Sequence, residues 1–298
     1  MTVLLVGFGG PETLAEVPAF VQSVLNREPP EYVVSGAVRR YQTIGGGSPL
    51  PAVTRRQAKL VGEELARRGV ESDVHVGMLH ARPTITEIAA RIVADDVRDL
   101  VVLSLAPYRC EVSTDAYFEA VSDAFDGSGV NLHFGDDWNR APGYVDALAG
   151  MLAEARDRAP AGTSVIFAAH SLPTRMIEQG DPYADQLQDT ARAVAAAIGL
   201  EDWHLAYQSV SAAAREPWLR PSVEEVLDSL AARGARSVLI DPIGFIADHV
   251  ETLYDNDIEH RGHAATLDLE FHRCLCLNEH SGLIATLAGL ALGVMSRV

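Results

Sequence analysis

Lysine is almost absent from this chain. Lys59 stands alone among 298 residues, and arginine supplies the rest of the 24 basic side chains. Against 41 acidic residues this leaves a formal net charge of −17. Nucleic acid demands a basic face that neutralises phosphates, so a DNA or RNA partner is excluded. The same deficit gives no grip on anionic lipid. The preference for arginine over lysine reads as codon bias rather than mechanism. Cysteine is scarce too: Cys110, Cys274 and Cys276 are an odd number and make no disulfide framework. No window approaches the ~20 apolar residues of a transmembrane helix. The opening Met1-Thr-Val-Leu-Leu-Val6 lacks the basic region and cleavage site of a signal peptide and reads as a strand. A cytoplasmic protein without stable membrane insertion is expected.

Apolar residues make up 48% of the chain, enough for a sizeable core. The length fits one large domain or two ordinary ones. Short apolar runs alternate with helical stretches of 10–15 residues. The runs are Val3–Phe8, Ser72–Met78, Arg98–Pro107, Asn131–Phe134, Ser164–His170, His204–Ser209, Ser237–Ile240 and Thr266–Phe271. That alternation implies an α/β protein with parallel sheets. The run at 164–173 echoes the start of the chain: apolar strand, small residues, turn, proline, helix. Two Rossmann-like, doubly wound halves are therefore expected, 1–140 and 141–298. The last helix, Ser281 to Met295, is apolar nearly all round and is expected to pack into the core, back onto the N-terminal half.

In such folds ligands sit at the carboxyl ends of the strands. Phe8, His80, Tyr108, His170, Gln208 and Phe245 all fall at or just after such ends. The glycine-rich loop Gly45-Gly-Gly-Ser-Pro-Leu50 lacks the Lys-Ser/Thr pair of a phosphate loop. Its glycines would let the backbone lie against a flat ligand, or make an ordinary turn.

The most informative stretch is 241–259. Glu251, Asp255 and Glu259 stand four apart and stack on one helix face, and Asp248 extends the stripe. Like charges at this spacing repel, so the row suggests the handling of divalent metal or protons. A solvated helix face is the plainer alternative. His170 ends a buried strand facing the same edge. A neutral imidazole can take a proton near neutral pH or bind a borderline metal, and with Glu251 it makes a set suited to holding Fe²⁺ loosely.

Longer motifs carry a resemblance. Ala169-His-Ser-Leu-Pro173, Gly180-Asp-Pro-Tyr183, Gln208-Ser209, Pro217-Trp-Leu219 and Pro242-Ile-Gly-Phe-Ile-Ala-Asp-His-Val-Glu-Thr-Leu-Tyr-Asp-Asn-Asp257 resemble the signature of ferrochelatases. Gly9-Gly-Pro-Glu12 and the segment from Arg40 to Leu50 resemble its N-terminal part, and the likeness runs from about Val3 to Leu290. It implies a lyase of haem biosynthesis that inserts Fe²⁺, as substrate, into a porphyrin held in a cleft between two Rossmann-like halves. His170 and Glu251 fall on the family's His/Glu pair, as proton acceptor with metal contact and carboxylate partner. Asp255 and Glu259 fall on the acids that continue toward the surface, in a helix with a π-type segment. Phe8, His80, Tyr117 and Trp218 are then porphyrin contacts, and Arg27 and Ser48 meet propionates.

Some features depart from the family pattern. Phe8 stands where some members place a tyrosine. No long apolar lip is evident, which tilts the substrate from protoporphyrin IX toward the more soluble coproporphyrin III. Some members hold a [2Fe–2S] cluster with four cysteines; here Cys110, Cys274 and Cys276 fall one short, with His280 the only substitute, and buried free thiols are the expected state. Porphyrin and ferrous iron are the expected partners of a monomer. The rival readings are a cobalt or nickel chelatase of another tetrapyrrole, or a tetrapyrrole or metal carrier without turnover.

Overall fold

The computed structural model describes residues 1–210 and 216–297. They form two compact units, Met1–Asp137 with Asn278–Val298, and Trp138–Leu277. The first contains β1 (Thr2–Gly7), α1 (Val17–Leu25), α2 (Glu31–Thr43), α3 (Leu50–Arg67), β2 (Asp73–Met78), α4 (Ile85–Ala94), β3 (Asp99–Ser104), α5 (Ala116–Ala124) and β4 (Asn131–Phe134). Its strands are all parallel, in the order β2-β1-β3-β4. Val3 to Val6 in the central β1 are wholly buried, as a parallel strand covered on both faces requires. Leu4, Val6, Ile85, Ile88, Ile92 and Val102 form part of the core on one face.

The second unit contains α6 (Pro142–Arg158), β5 (Ser164–His170), α7 (Thr174–Glu178), α8 (Tyr183–Ala197), β6 (Trp203–Gln208), α9 (Val223–Ala232), β7 (Ser237–Asp241), a π-helix (Glu251–His260), α10 (Arg261–Thr266) and β8 (Glu270–Arg273). The order β6-β5-β7-β8 repeats that of the first sheet, with β5 in the place of β1. The likeness extends to detail. Arg82-Pro83-Thr84 and Arg220-Pro221-Ser222 follow the second strand of each unit, and Thr84 with Glu87, and Ser222 with Glu225, close capping boxes on α4 and α9. In each box two otherwise orphaned N–H groups are satisfied reciprocally. The final helix α11 (Ser281–Met295) belongs to the first unit, where Arg68 donates to the Ala285 carbonyl and Gln57 to that of Asn278.

Two local expectations need revision. Pro29-Pro30 reads as a helix stop, yet Pro30 is the N-cap of α2, with Glu31 in its first turn. The actual stop of α1 is Asn26 in the left-handed region. The last strand starts later than residue 266, because α10 runs to Thr266 and both Leu267 and Leu269 donate to the Ala264 carbonyl. In the triglycine loop, a Cβ on Gly47 would lie 2.1 Å from the Glu12 carbonyl oxygen. Ser48 N–H also donates to the Pro11 carbonyl. Gly47 is required by the packing of this loop on the Gly10–Glu12 turn.

Candidate active site

The site of the second unit lies at the carboxyl edge of its sheet. Parallel pairing of β5 with β6 sets His170 beside Gln208, the last residue of each strand. After β7 the chain turns through Pro242 and Gly244 toward the π-helix. A Cβ on Gly244 would fall 2.7 Å from that of Ala169, so glycine is needed here for close approach to β5. This contact brings the segment carrying Glu251 against the strand carrying His170.

His170 Nε2 lies 3.4 Å from Glu251 Oε1. Its Nδ1–H donates to the Ser171 carbonyl, which leaves Nε2 as the nitrogen that exchanges protons. Burial pushes the imidazole down, but the charge and hydrogen bond of Glu251, the Ser171 carbonyl and the charge of Asp255 outweigh it and hold His170 up to about 9. Burial likewise pushes Glu251 up, and the two imidazoles that face it more than reverse this, holding it well below the usual carboxylate range. The second imidazole is His249, whose Nε2 lies 3.5 Å from Glu251 Oε2. The centre is thus one carboxylate between two histidines. His249 was not singled out in the sequence, although it lies inside the quoted motif, because it stands two residues from Glu251 and off the four-residue row.

Neighbouring groups fix this centre. Gln208 donates its side-chain amide to the Glu251 carbonyl at 2.9 Å, and Ser209 donates its hydroxyl to Asp255. Ser209 takes a positive φ of 62°, a strained setting for a residue with a Cβ that also fits functional sites. The Tyr183 hydroxyl donates to the His170 carbonyl. Trp218 stands with its ring centroid 6.4 Å from that of His170, and Phe245 packs on His249 at 4.7 Å. The loop bearing Trp218 is tied to the end of β5, since Leu219 N–H donates to Leu172 and Ser171 Oγ to Leu219.

The acids do not form a plain α-helical stripe. Hydrogen bonds from i to i+5 widen the turn of the segment Glu251–His260. Glu251 is half-buried, Asp255 is buried and Glu259 is exposed. Asp248 leaves the row: it accepts from Arg273 at 3.0 Å and from Thr252 at 3.2 Å. Among the described residues, no group of three or more His, Cys, Asp or Glu is arranged to hold a metal ion.

The other expected residues lie in the first unit. Phe8 and His80 are in edge contact, with centroids 4.6 Å apart, and Phe20 packs on Phe8. His80 Nδ1 is bonded to Ser23 Oγ, and burial lowers its pKa. Arg27 is exposed just beyond α1. Tyr117 is 3% exposed and packs with Ile85 and Val121. Ser48 is buried, its Oγ accepting from Leu50 N–H.

Cys110 lies in the first unit, Cys274 and Cys276 in the second, and all three are free and buried. Burial pushes the Cys274 and Cys276 thiols far up.

A family model described as Ferrochelatase matches residues 1–293. The chain belongs to the ferrochelatase family. The members of this family are lyases of haem synthesis that insert ferrous iron into a porphyrin, and that is the class of function the chain carries. It is 36% identical to a ferrochelatase of Deinococcus radiodurans, over 97% of this chain and 94% of that protein. Identity is 33% to a ferrochelatase of Herpetosiphon aurantiacus, covering 98% of both. A coproporphyrin III ferrochelatase of Oceanobacillus iheyensis is 27% identical over 97% of this chain and 95% of that one. Among solved structures, SirB from Bacillus subtilis with Fe3+ superposes with a TM-score of 0.64 at 12% identity, covering 98% and 94% of the two chains. CbiX gives 0.58 at 12% identity, covering 98% of each. These two share the fold. Membership of the ferrochelatase family disfavours the cobalt or nickel chelatase and the carrier.

Proposed function

We propose that this ferrochelatase acts on coproporphyrin III in preference to protoporphyrin IX, with His170 as proton acceptor and Glu251 as its partner. The observation that carries the catalytic assignment is the 3.4 Å pair of His170 Nε2 and Glu251, with Trp218 beside the imidazole. Insertion of Fe²⁺ releases two pyrrole protons. A proton arriving at Nε2 is held as an ion pair with Glu251, and Nδ1 cannot compete because it serves Ser171. The same affinity means that the resting imidazole carries a proton at neutral pH, which must leave before the nitrogen can accept another. The acids Asp255 and Glu259, the last exposed, offer a route for that proton outward and for Fe²⁺ inward.

The substrate preference rests on the connection between α1 and α2. It reads Asn26-Arg-Glu-Pro-Pro30, polar and charged where an apolar lip would favour a membrane-borne porphyrin. Arg27 supplies a charge-assisted hydrogen bond to a propionate, and coproporphyrin III has more propionates to offer. No helix among the described residues is long and apolar enough to cross a membrane. The test is anaerobic insertion of Fe²⁺ by the purified protein, followed by absorbance with each porphyrin. A higher kcat/KM for coproporphyrin III is expected; a higher value for protoporphyrin IX would overturn the preference.

A further inference from the structure

A π-helix of ten residues is long for this geometry, which mostly occurs as single turns inside α-helices. Something outside it must hold its shape. Gln208 and Ser209, at the end of β6, grip it from one side, through the Glu251 carbonyl and Asp255. The other grip comes from Arg273, the last residue of the edge strand β8, paired in register with Ile240 of β7. Its side chain is only 8% exposed. Nη1 donates to Asp248 Oδ1 at 3.0 Å and Nε to Asp257 Oδ1 at 2.8 Å.

Asp248 lies just before the π-helix and Asp257 in its later part, so one guanidinium ties down both sides of the stretch that carries Glu251 and Asp255. The rest of the clamp is equally local. Thr252 Oγ1 donates to Asp248 Oδ1 and accepts from His249 N–H, and Arg261 reaches Asp257 at 3.6 Å. A planar fork can span two carboxylates at fixed geometry, which an ammonium cannot.

We propose that Arg273 is a positioning residue for iron delivery. It holds the π-helix so that Glu251 and Asp255 stay in register with His170, without touching the metal or the porphyrin itself. This rests on the reading of His170 and Glu251 as the insertion site. It assigns a catalytic consequence to three residues outside that centre: Arg273, Asp248 and Asp257. Side chains that orient metal-binding groups typically cost about 10–100-fold in metal affinity or activity when lost.

Arg273→Lys keeps the charge and loses the fork. Asp257→Asn removes the charge of one arm and leaves Arg273 paired with Asp248, so it keeps the proposal testable should Arg273→Lys fold poorly. For folded protein, KM for Fe²⁺ should rise about tenfold or more in both variants, with KM for porphyrin within about twofold of wild type. Amide hydrogen exchange, read by mass spectrometry, should quicken in residues 248–262 while β5 stays protected. A merely structural role would lower the melting temperature without moving KM for Fe²⁺. Wild-type KM for Fe²⁺, or unchanged exchange across 248–262, in a folded Asp257→Asn protein overturns the clamp. Failure of the wild-type protein to insert iron would instead overturn the insertion-site reading, and the exchange arm still decides whether Arg273 holds the π-helix.

Discussion

At the scale of single residues, the chemistry concentrates in His170. His170→Ala should lose insertion by about 10²–10⁴-fold, the usual cost of removing a general base. Porphyrin binding, read by stopped-flow fluorescence quenching, should persist, because the imidazole acts when protons leave and metal enters. Near-normal kcat would place the proton acceptor elsewhere, with His80 next in line. The pH dependence has a definite sign. His170 is held up to about 9 mainly against burial and by Glu251, so kcat/KM of the free enzyme should climb with pH through an acid limb near that value. Glu251→Gln removes the charge that raises it, so the limb should move down toward or below the ordinary imidazole value of about 6.5, alongside a steep fall in kcat. A limb that stays put in Glu251→Gln would show that another group titrates there. Linkage gives the matching statement for folding. The histidine's contribution is full below about pH 6.5 and is lost as pH rises through about 9. That of Glu251, whose pKa is depressed, is present above about 4.5 and is lost as pH falls toward its folded value.

At the scale of elements, the strands were the legible part. Val3 to Val6 and Ser237 to Ile240 are continuous apolar runs because parallel strands are covered on both faces. The site was legible where chemistry coincides with a strand end, as at His170. It was not legible where geometry departs from regular periods. Counting by helical spacing placed Asp248 in the acidic row, whereas it lies before the π-helix and pairs with Arg273. The same count passed over His249. The burial of Tyr117 beside Ile85 and Val121 was not legible either, since helical spacing does not show what packs on an aromatic ring. The glycines show a related limit: a sequence does not show which neighbour a glycine lets approach. Gly244→Ala tests this. Its methyl would meet Ala169 at 2.7 Å, so the variant should lose roughly 1–3 kcal/mol, as overpacked sites do, and also activity, because the turn toward Glu251 must shift. Adding Ala169→Gly should restore only part of either, because the residue 169 Cα still lies 2.8 Å from the new methyl. A melting temperature unchanged in Gly244→Ala would mean that the contact relaxes at little cost.

At the scale of the whole molecule, the net charge of −17 acts on two substrates of opposite sign. A negative protein concentrates Fe²⁺ near its surface and repels a porphyrin that carries several carboxylates. Salt screens both effects: the Debye length falls from about 30 Å at 0.01 M to about 8 Å at 0.15 M. Raising the ionic strength across that range should therefore raise KM for Fe²⁺ severalfold while leaving KM for coproporphyrin III level or lower. Local groups modulate the two arms separately. Glu259 is exposed at the outer end of the acidic series, so Glu259→Gln should raise KM for Fe²⁺ mildly and flatten its salt dependence, with kcat nearly unchanged. Arg27 is an exposed cation, so Arg27→Ala should raise KM for coproporphyrin III and leave that for Fe²⁺ alone. Steady-state insertion in an anaerobic cell, varied in salt at fixed pH, reads all of these. Parallel salt dependence for the two substrates would show that the overall field does not steer either, and that delivery of iron depends on contacts inside the site.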